Sequence, residues 1–549
     1  MEQLYKRFCK EEFDSNGVLC AFEPVVPENF NFSYDVVDEI ARIDPLRKAM
    51  LWCNEAGEES TFNFAQMKEY SDRAANAFLK QGIGKGDMVM LVLKRHYQFW
   101  FAILGLHKIG AVAIPATHLL TTNDVLYRFK AAEVKAIVCT GEGEIASYVD
   151  AACGSYAGVE TRFMVRGSRE GWLNFDAELE AAQPSLDRVS NRYDDPMLLY
   201  FTSGTTGHPK MVLHDYSYPI GHIITAKHWH NVVPGGIHLT VADTGWGKSV
   251  WGKLYGQWLC GATVFTYDFD RFVPADLLHK IEKYKINTFC APPTIYRFFV
   301  KEGMENYDLS SLTYATTAGE ALNPEVFHRF YEYTGLKLME AFGQTETVVQ
   351  TANLVGSTPK PGSMGKPSPL YDIELVDENG KPVPAGAVGE IVIRTGSASR
   401  VMGLFSGYYK DDERTAQAWH DGYYHTGDTA WRDEDDYLWY VGRTDDVIKA
   451  SGYRIGPFEI ESVLMEHPAV LECAVTGAPD PVRGTVVKAT VVLTKNHQPC
   501  DALKKELQDY VKKQTAPYKY PRIIDFIDTL PKTISGKIRR VELRAPVNC

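Results

Sequence analysis

Between residues 60 and 140 the apolar positions switch repeatedly between two spacings, and a chain can satisfy both only by layering helices on strands. Residues 64–81 are apolar at helical intervals, the turn 82–87 interrupts them, and 88–93 is an unbroken apolar run. Helical spacing returns at 97–110 and gives way to the short run 111–115. The theme recurs with a predicted strand at 262–267, a helix at 274–284 and a strand at 287–291. Such alternation predicts an α/β fold of layered sheets.

The texture changes at about residue 370. Short strands at 371–377 and 390–394, with the turn Glu378-Asn379-Gly380-Lys381 between them, predict a small β-rich subdomain. Beyond Gly442-Arg443-Thr444-Asp445-Asp446 the pattern becomes α+β, with helices at 456–467 and 501–514 and strands at 471–477 and 488–493. A chain of 549 residues exceeds one compact domain. The expected organisation is a large N-terminal domain, 1–444, with α/β lobes at about 30–190 and 191–370 and the β-rich part at 371–442. A small C-terminal domain spans 445–549.

A net charge of -12 argues against a nucleic-acid partner, which would require a clustered basic surface. The ten cysteines are scattered without a CxxC pair and read as reduced thiols. The start Met1-Glu2-Gln3-Leu4-Tyr5-Lys6 has no apolar leader pattern, and no run reaches the length of a membrane span. These features give a cytoplasmic expectation. Histidines 214, 222, 228, 230 and 238 lack a ligand pattern and are assigned no metal.

Four segments carry chemistry. After the apolar run 197–201 comes Thr202-Ser203-Gly204-Thr205-Thr206-Gly207-His208-Pro209-Lys210, whose glycines, hydroxyls and lysine could wrap phosphate oxygens. It is not a Walker A loop, and a flexible Ser/Thr/Gly turn is the alternative. In Glu340-Ala341-Phe342-Gly343-Gln344-Thr345-Glu346-Thr347, Glu346 could hold Mg²⁺ against ATP phosphates or be a solvated loop carboxylate. In Tyr424-His425-Thr426-Gly427-Asp428, the aspartate could accept both ribose hydroxyls or cap a turn, and Arg443 could meet the same nucleotide or pair at the surface. Near the end, Pro531-Lys532-Thr533-Ile534-Ser535-Gly536-Lys537 sets a lysine in a small-residue turn.

Taken jointly and in order, TSGTTGHPK, AFGQTET, YHTGD, GRTDDVIKASGYRIGPFEIE and PKTISGK resemble the adenylate-forming superfamily of acyl-CoA synthetases, adenylation domains and luciferases. The stretches ADTGW (242–246), HPAVLECAVTGAPDPVRG (467–484) and TAPYKYPR (515–522) are similar to the medium-chain acyl-CoA synthetases.

The resemblance implies ATP, Mg²⁺ and coenzyme A as reactants and an acyl-adenylate as intermediate. Residues 202–210 would bind the β and γ phosphates, and Gly319, Glu320 and Glu340 to Thr345 would border the nucleotide. Glu346 would be the magnesium ligand, Asp428 the ribose ligand and Arg443 a nucleotide contact. Lys537 would bridge the substrate carboxylate and the nucleotide, stabilising charge in the first half-reaction. Ser451, Gly452, Tyr453, Arg483, Lys512 and Tyr520 would meet CoA, with Arg454 near the nucleotide or substrate. Asp445 would be the hinge of a mobile C-terminal domain that presents Lys537 in one state and Gly452 in the other.

Acetate-specific relatives carry tryptophan where Gly343 stands, so a deeper pocket is expected here, with Trp246 lining it or gating the thiol channel and Thr345 at its edge. The expected substrates are short- to medium-chain acids, straight or branched. The alternatives are an aromatic-acid CoA ligase, a stand-alone adenylation enzyme that loads a carrier protein, and a nucleotide-binding protein without catalysis. A homodimer is an assembly the reading permits. Where the family has glycine in the turn 433–436 this chain has Asp436, which tolerates a left-handed turn.

Overall fold

The computed structural model describes residues 3–202, 209–397, 400–450, 453–481, 484–516, 518–532 and 538–544. Two large sheets form the N-terminal part. One has eight strands, in the order Gly407–Tyr408, Lys210–Asp215, Pro196–Thr202, Val112–Pro115, Met88–Val92, Ala136–Thr140, Thr161–Val165 and Leu173–Asn174. The other has nine, running from Lys366–Pro367 through Val349–Ala352, Leu338–Gly343, Tyr314–Thr317, Thr288–Ala291, Ile237–Thr240, Thr263–Asp268 and Lys48–Asn54 to Glu59–Asn63. The central strands are parallel, and helices cover them on both faces. Runs such as Met88–Val92 are therefore buried throughout, with no polar alternation.

Sheet membership departs from the two contiguous lobes expected at about 30–190 and 191–370. Lys48–Asn54 and Glu59–Asn63 join the nine-stranded sheet, while Pro196–Thr202 and Lys210–Asp215 join the eight-stranded one. Adjacency in a sheet is decided by long-range pairing, as where Val264 to Asp268 lie beside Met50 to Asn54, and that leaves no local mark in the sequence.

The helices follow their sequence signals. Phe64–Lys80 starts at a capping box: the Asn63 side chain accepts from Gln66 N at 2.8 Å, and Gln66 Oε1 accepts from Asn63 N at 3.0 Å. Gln98–Ile109 is buried on every side, as its all-round apolar composition requires, and ends at Gly110 with φ +77°. Its charged member, Lys108, is fully enclosed and bonds Asp38 at 2.8 Å and Asp72 at 2.6 Å.

Ile373–Val376, Val388–Arg394, Trp419–His420, Tyr423–Arg432 and Leu438–Arg443 form the five-stranded antiparallel sheet of the β-rich region. Asp436 has φ +69°, the left-handed conformation expected of it. The C-terminal part has its own apolar cluster, with Ile460, Leu464, Val475, Val487, Leu507 and Val511 packed between helices Pro457–Glu466 and Asp501–Gln514 and the strands Val470–Asp480, Gly484–Leu493 and Ile523–Phe526. Asn323 Nδ2 donates to Ser462 O at 3.4 Å, joining this cluster's first helix to the nine-stranded sheet's connections. No helix among the described residues is long and apolar enough to cross a membrane.

Candidate active site

The chemistry-bearing segments converge where parallel strands end, the usual location of ligand crevices in α/β sheets. Strand Leu338–Gly343 runs into the loop Gln344 to Thr347, which turns back through a bulge into Val349–Ala352. A Cβ built on Gly343 would lie 2.8 Å from Val348 O, so a side chain there would require this bulge to shift. Two bonds fix the loop: Gln344 N donates to Thr347 Oγ1 at 3.1 Å, and His214 Nε2 lies 2.7 Å from Thr345 O. A carbonyl only accepts, so His214 is the Nε2–H tautomer. Burial pulls its pKa down to about 4 and keeps it neutral.

From the β-rich sheet, Asp428 and Arg443 enter the same crevice as direct cross-strand partners. Asp428 is 5% exposed, and its oxygens are tightly held. Oδ1 accepts from Tyr440 at 3.0 Å, and Oδ2 accepts from Gln344 Nε2 at 2.5 Å and from Arg443 Nη1 at 3.3 Å. Gln344 also donates to Thr426 O at 2.8 Å and accepts from Tyr424 at 2.8 Å. Gly427 has φ +70°, and a Cβ on it would meet Arg443 Nη2 at 2.8 Å, so the guanidinium lies across a position only glycine leaves open.

A second charged group stands beside the phosphate-loop candidate. Thr202 and Lys210 face each other across the antiparallel pair that closes this loop, and Ser203 to His208 lie outside the described residues. Pro209 O accepts from Tyr127 at 3.2 Å. Lys210 Nζ donates to Tyr408 Oη at 3.3 Å, and Tyr408 donates to Glu346 Oε1 at 3.0 Å. Burial holds the Lys210 ammonium below its ordinary pKa. One carboxylate beside a cation and a phosphate loop fits Mg²⁺ carried on a nucleotide, because magnesium takes few protein oxygens and relies on phosphate and water for the rest. Among the described residues no group of three or more His, Cys, Asp or Glu could hold a metal by itself.

Glu340, expected along the nucleotide, turns its side chain away from the crevice loop. Its side chain is 3% exposed and points into the protein, where Oε1 accepts from Leu322 N at 3.1 Å. Burial pushes its pKa up to about 8, so it is a neutral acid at pH 7 that braces the segment after Gly319 and Glu320. Gly319 has φ +107° and open space around it, whereas Glu320 is exposed and accepts from Thr294 at 2.7 Å. Ala341 is buried, and the half-buried Phe342 faces Tyr440, ring centroids 6.0 Å apart.

Trp246 is half-buried and immediately precedes helix Gly247–Lys253. Gly245 before it crosses so close to Thr117 N that a Cβ would stand 2.3 Å away, and Thr244 N donates to Lys94 O at 3.2 Å. The ADTGW loop is thus clamped against the eight-stranded sheet.

Of the C-terminal candidates, Lys512 is exposed with Nζ 4.2 Å from the Tyr520 ring centroid, and Arg522 lies over the same ring at 4.9 Å. Tyr453 and Arg454 lie on strand Tyr453–Ile455, paired with Ile448–Ala450. Ser451, Gly452, Arg483 and Lys537 lie outside the described residues. Asp445 Oδ1 is 3.8 Å from Arg443 Nε, its carbonyl accepts from Arg544 at 2.8 Å, and Arg540 ties Asp446 to Glu461. Tyr424 opens a chemistry-bearing segment of the sequence, whereas Tyr408 and Tyr440 stand outside those segments and only strand pairing reveals them.

This two-part architecture and its crevice place the chain among the adenylate-forming enzymes. Residues 37–409 match the AMP-binding enzyme family and 459–537 its C-terminal domain, and the chain belongs to that family. It is 40% identical over 533 residues to the mitochondrial acyl-coenzyme A synthetase ACSM3 of Mus musculus, covering 95% of this chain and 91% of that one. It is 42% identical to the mitochondrial ACSM5 of Homo sapiens over 532 residues, with coverage of 95% and 91%. Among solved structures, the anthranilate CoA ligase AuaEII in complex with anthranoyl-AMP superimposes with a TM-score of 0.86 at 28% identity, covering 94% of this chain and 97% of the other.

Proposed function

We propose that this enzyme is an AMP-forming carboxylic acid–CoA ligase for short- to medium-chain acids, working through an acyl-adenylate. The observation that carries the reading is the meeting of Gln344, Asp428 and Arg443 in one crevice with the Lys210–Tyr408–Glu346 chain beside the phosphate-loop candidate. In the first half-reaction a substrate carboxylate oxygen bonds to the α-phosphorus of ATP, the bond to the bridging oxygen breaks, and pyrophosphate leaves. In the second, the CoA sulfur bonds to the acyl carbon and AMP leaves with the carboxylate oxygen.

Asp428, oriented by Tyr440 and Gln344, is assigned to the ribose, with Arg443 beside it and residues 202–210 on the β and γ phosphates. Glu346 and the phosphates would hold Mg²⁺, which when bound neutralises phosphate charge. Lys537 stabilises the charge that develops as adenylation proceeds. Domain boundaries at 444/445, rotation about Asp445, the CoA contacts, pocket deepening at Gly343 and the role of Trp246 belong to the same proposal. So do a homodimer, which sedimentation would test, and a cytoplasmic location, which fractionation would test against the mitochondrial names of its relatives.

An aromatic acid is the second reading, favoured by the likeness to the anthranilate CoA ligase. Rates kcat/KM across acetate, propionate, butyrate, isobutyrate, 2-methylbutyrate, hexanoate, octanoate and benzoate decide between them. A pocket graded by methylenes distinguishes neighbours by about 1–3 kcal/mol each, so a broad optimum among aliphatic acids is expected, and a maximum at benzoate overturns it.

A further inference from the structure

Tyr408 stands between the two charged groups assigned to the triphosphate. It is 5% exposed on strand Gly407–Tyr408, which is bonded to Lys210–Asp215 with Val212 opposite Tyr408. Its backbone N–H donates to Thr415 Oγ1 at 2.9 Å, and its ring packs on Phe405 at 4.8 Å between centroids. The phenol is therefore fixed before any ligand arrives. Its oxygen accepts from Lys210 at 3.3 Å and donates to Glu346 at 3.0 Å, and Lys210 Nζ also lies 5.0 Å from its ring centroid.

Opposite charges in a partly buried crevice attract strongly, and a direct lysine–glutamate pair would occupy the donors and lone pairs that a triphosphate and its metal need. With the hydroxyl interposed, no direct Lys210–Glu346 ion pair within 4.0 Å is among the salt bridges of the described residues. We propose that Tyr408 is a positioning residue for adenylation, a hydroxyl spacer that keeps Lys210 and Glu346 from neutralising each other and leaves both turned to Mg²⁺-bound ATP. This rests on the ATP-dependent reading above.

The test uses full-length protein and calorimetric binding of ATP with and without Mg²⁺. Tyr408→Phe keeps the ring and removes the spacer. ATP affinity in Mg²⁺ should fall about tenfold, as expected for losing a hydrogen bond to a charged group. Acid KM and thioester formation from supplied acyl-adenylate should hold within about twofold, because neither uses the triphosphate. Lys210→Gln should weaken binding strongly alone but add little to Tyr408→Phe, since in that background the lysine is already spent on Glu346. In otherwise wild-type protein, Lys210→Gln and Glu346→Gln share Tyr408 and should couple only weakly, less than a directly paired lysine and glutamate would, a comparison that stands even if Tyr408→Phe does not fold.

Unchanged ATP affinity in Tyr408→Phe, or strong coupling between Lys210 and Glu346 in the wild-type background, overturns the spacer. Acid-dependent pyrophosphate exchange by the wild type is the control for the underlying reading. Its absence removes both, while its presence with an unaffected Tyr408→Phe removes the spacer alone.

Discussion

Glu340→Gln isolates a buried carboxyl whose ionisation opposes folding. In the native protein Oε1 accepts from Leu322 N at 3.1 Å, and Oε2 has no hydrogen-bond partner among the described residues. Burial raises the pKa to about 8, against about 4.3 for an exposed glutamate. Below about pH 4 both folded and unfolded chains carry the proton and the stabilising difference is fully present. Between about pH 4 and 8 only the folded chain keeps it, so stability falls by about 1.4 kcal/mol per unit, about 5 kcal/mol in all. Glutamine keeps the acceptor for Leu322 and cannot ionise. The gap between variant and wild type should therefore move toward the variant by about 3 kcal/mol from pH 5 to pH 7. Urea unfolding followed by tryptophan fluorescence at pH 5, 6 and 7 measures it. A gap that stays constant with pH, or widens in the wild type's favour, refutes a neutral buried Glu340.

Gly427→Ala should weaken AMP binding about tenfold, since the methyl must displace Arg443 from 2.8 Å and adopt φ +70°; isothermal titration reads this. Lys537→Ala should slow adenylation at least about 10²-fold while sparing thioester formation from supplied acyl-adenylate, and equal damage to both steps contradicts the division of labour. Lys108→Met removes the cation that half-buried Asp38 and buried Asp72 share, leaving Asp72 with Lys68 alone, and should destabilise the large domain by about 3 kcal/mol, seen as a lowered Tm.

Local order was legible because local forces set it. Helix 64–81 was readable from its spacing and is closed by the Asn63–Gln66 box, and helix Asp501–Gln514 has the bounds its apolar period requires. Asp436 takes the left-handed turn that the family's glycine at this position implied and that an aspartate tolerates. Sheet membership of 48–63 and 196–215 was not legible, because strands far apart in sequence compete for the same edge. The candidate site divides the same way. Asp428, Arg443, Gln344 and Glu346 stand in motifs, whereas Tyr440 and Tyr408 reach them only through the cross-strand register of Asp428 with Arg443 and of Val212 with Tyr408. The burial of the Glu340 side chain was not legible, because a motif names a residue without saying which side of its strand it faces.

The most direct measurement of two-step chemistry is exchange of labelled pyrophosphate into ATP with acid present and CoA absent, followed by addition of CoA. The account predicts acid-dependent exchange before CoA, then release of AMP with stoichiometric acyl-CoA. Exchange that requires CoA, or CoA addition that yields no thioester, contradicts it.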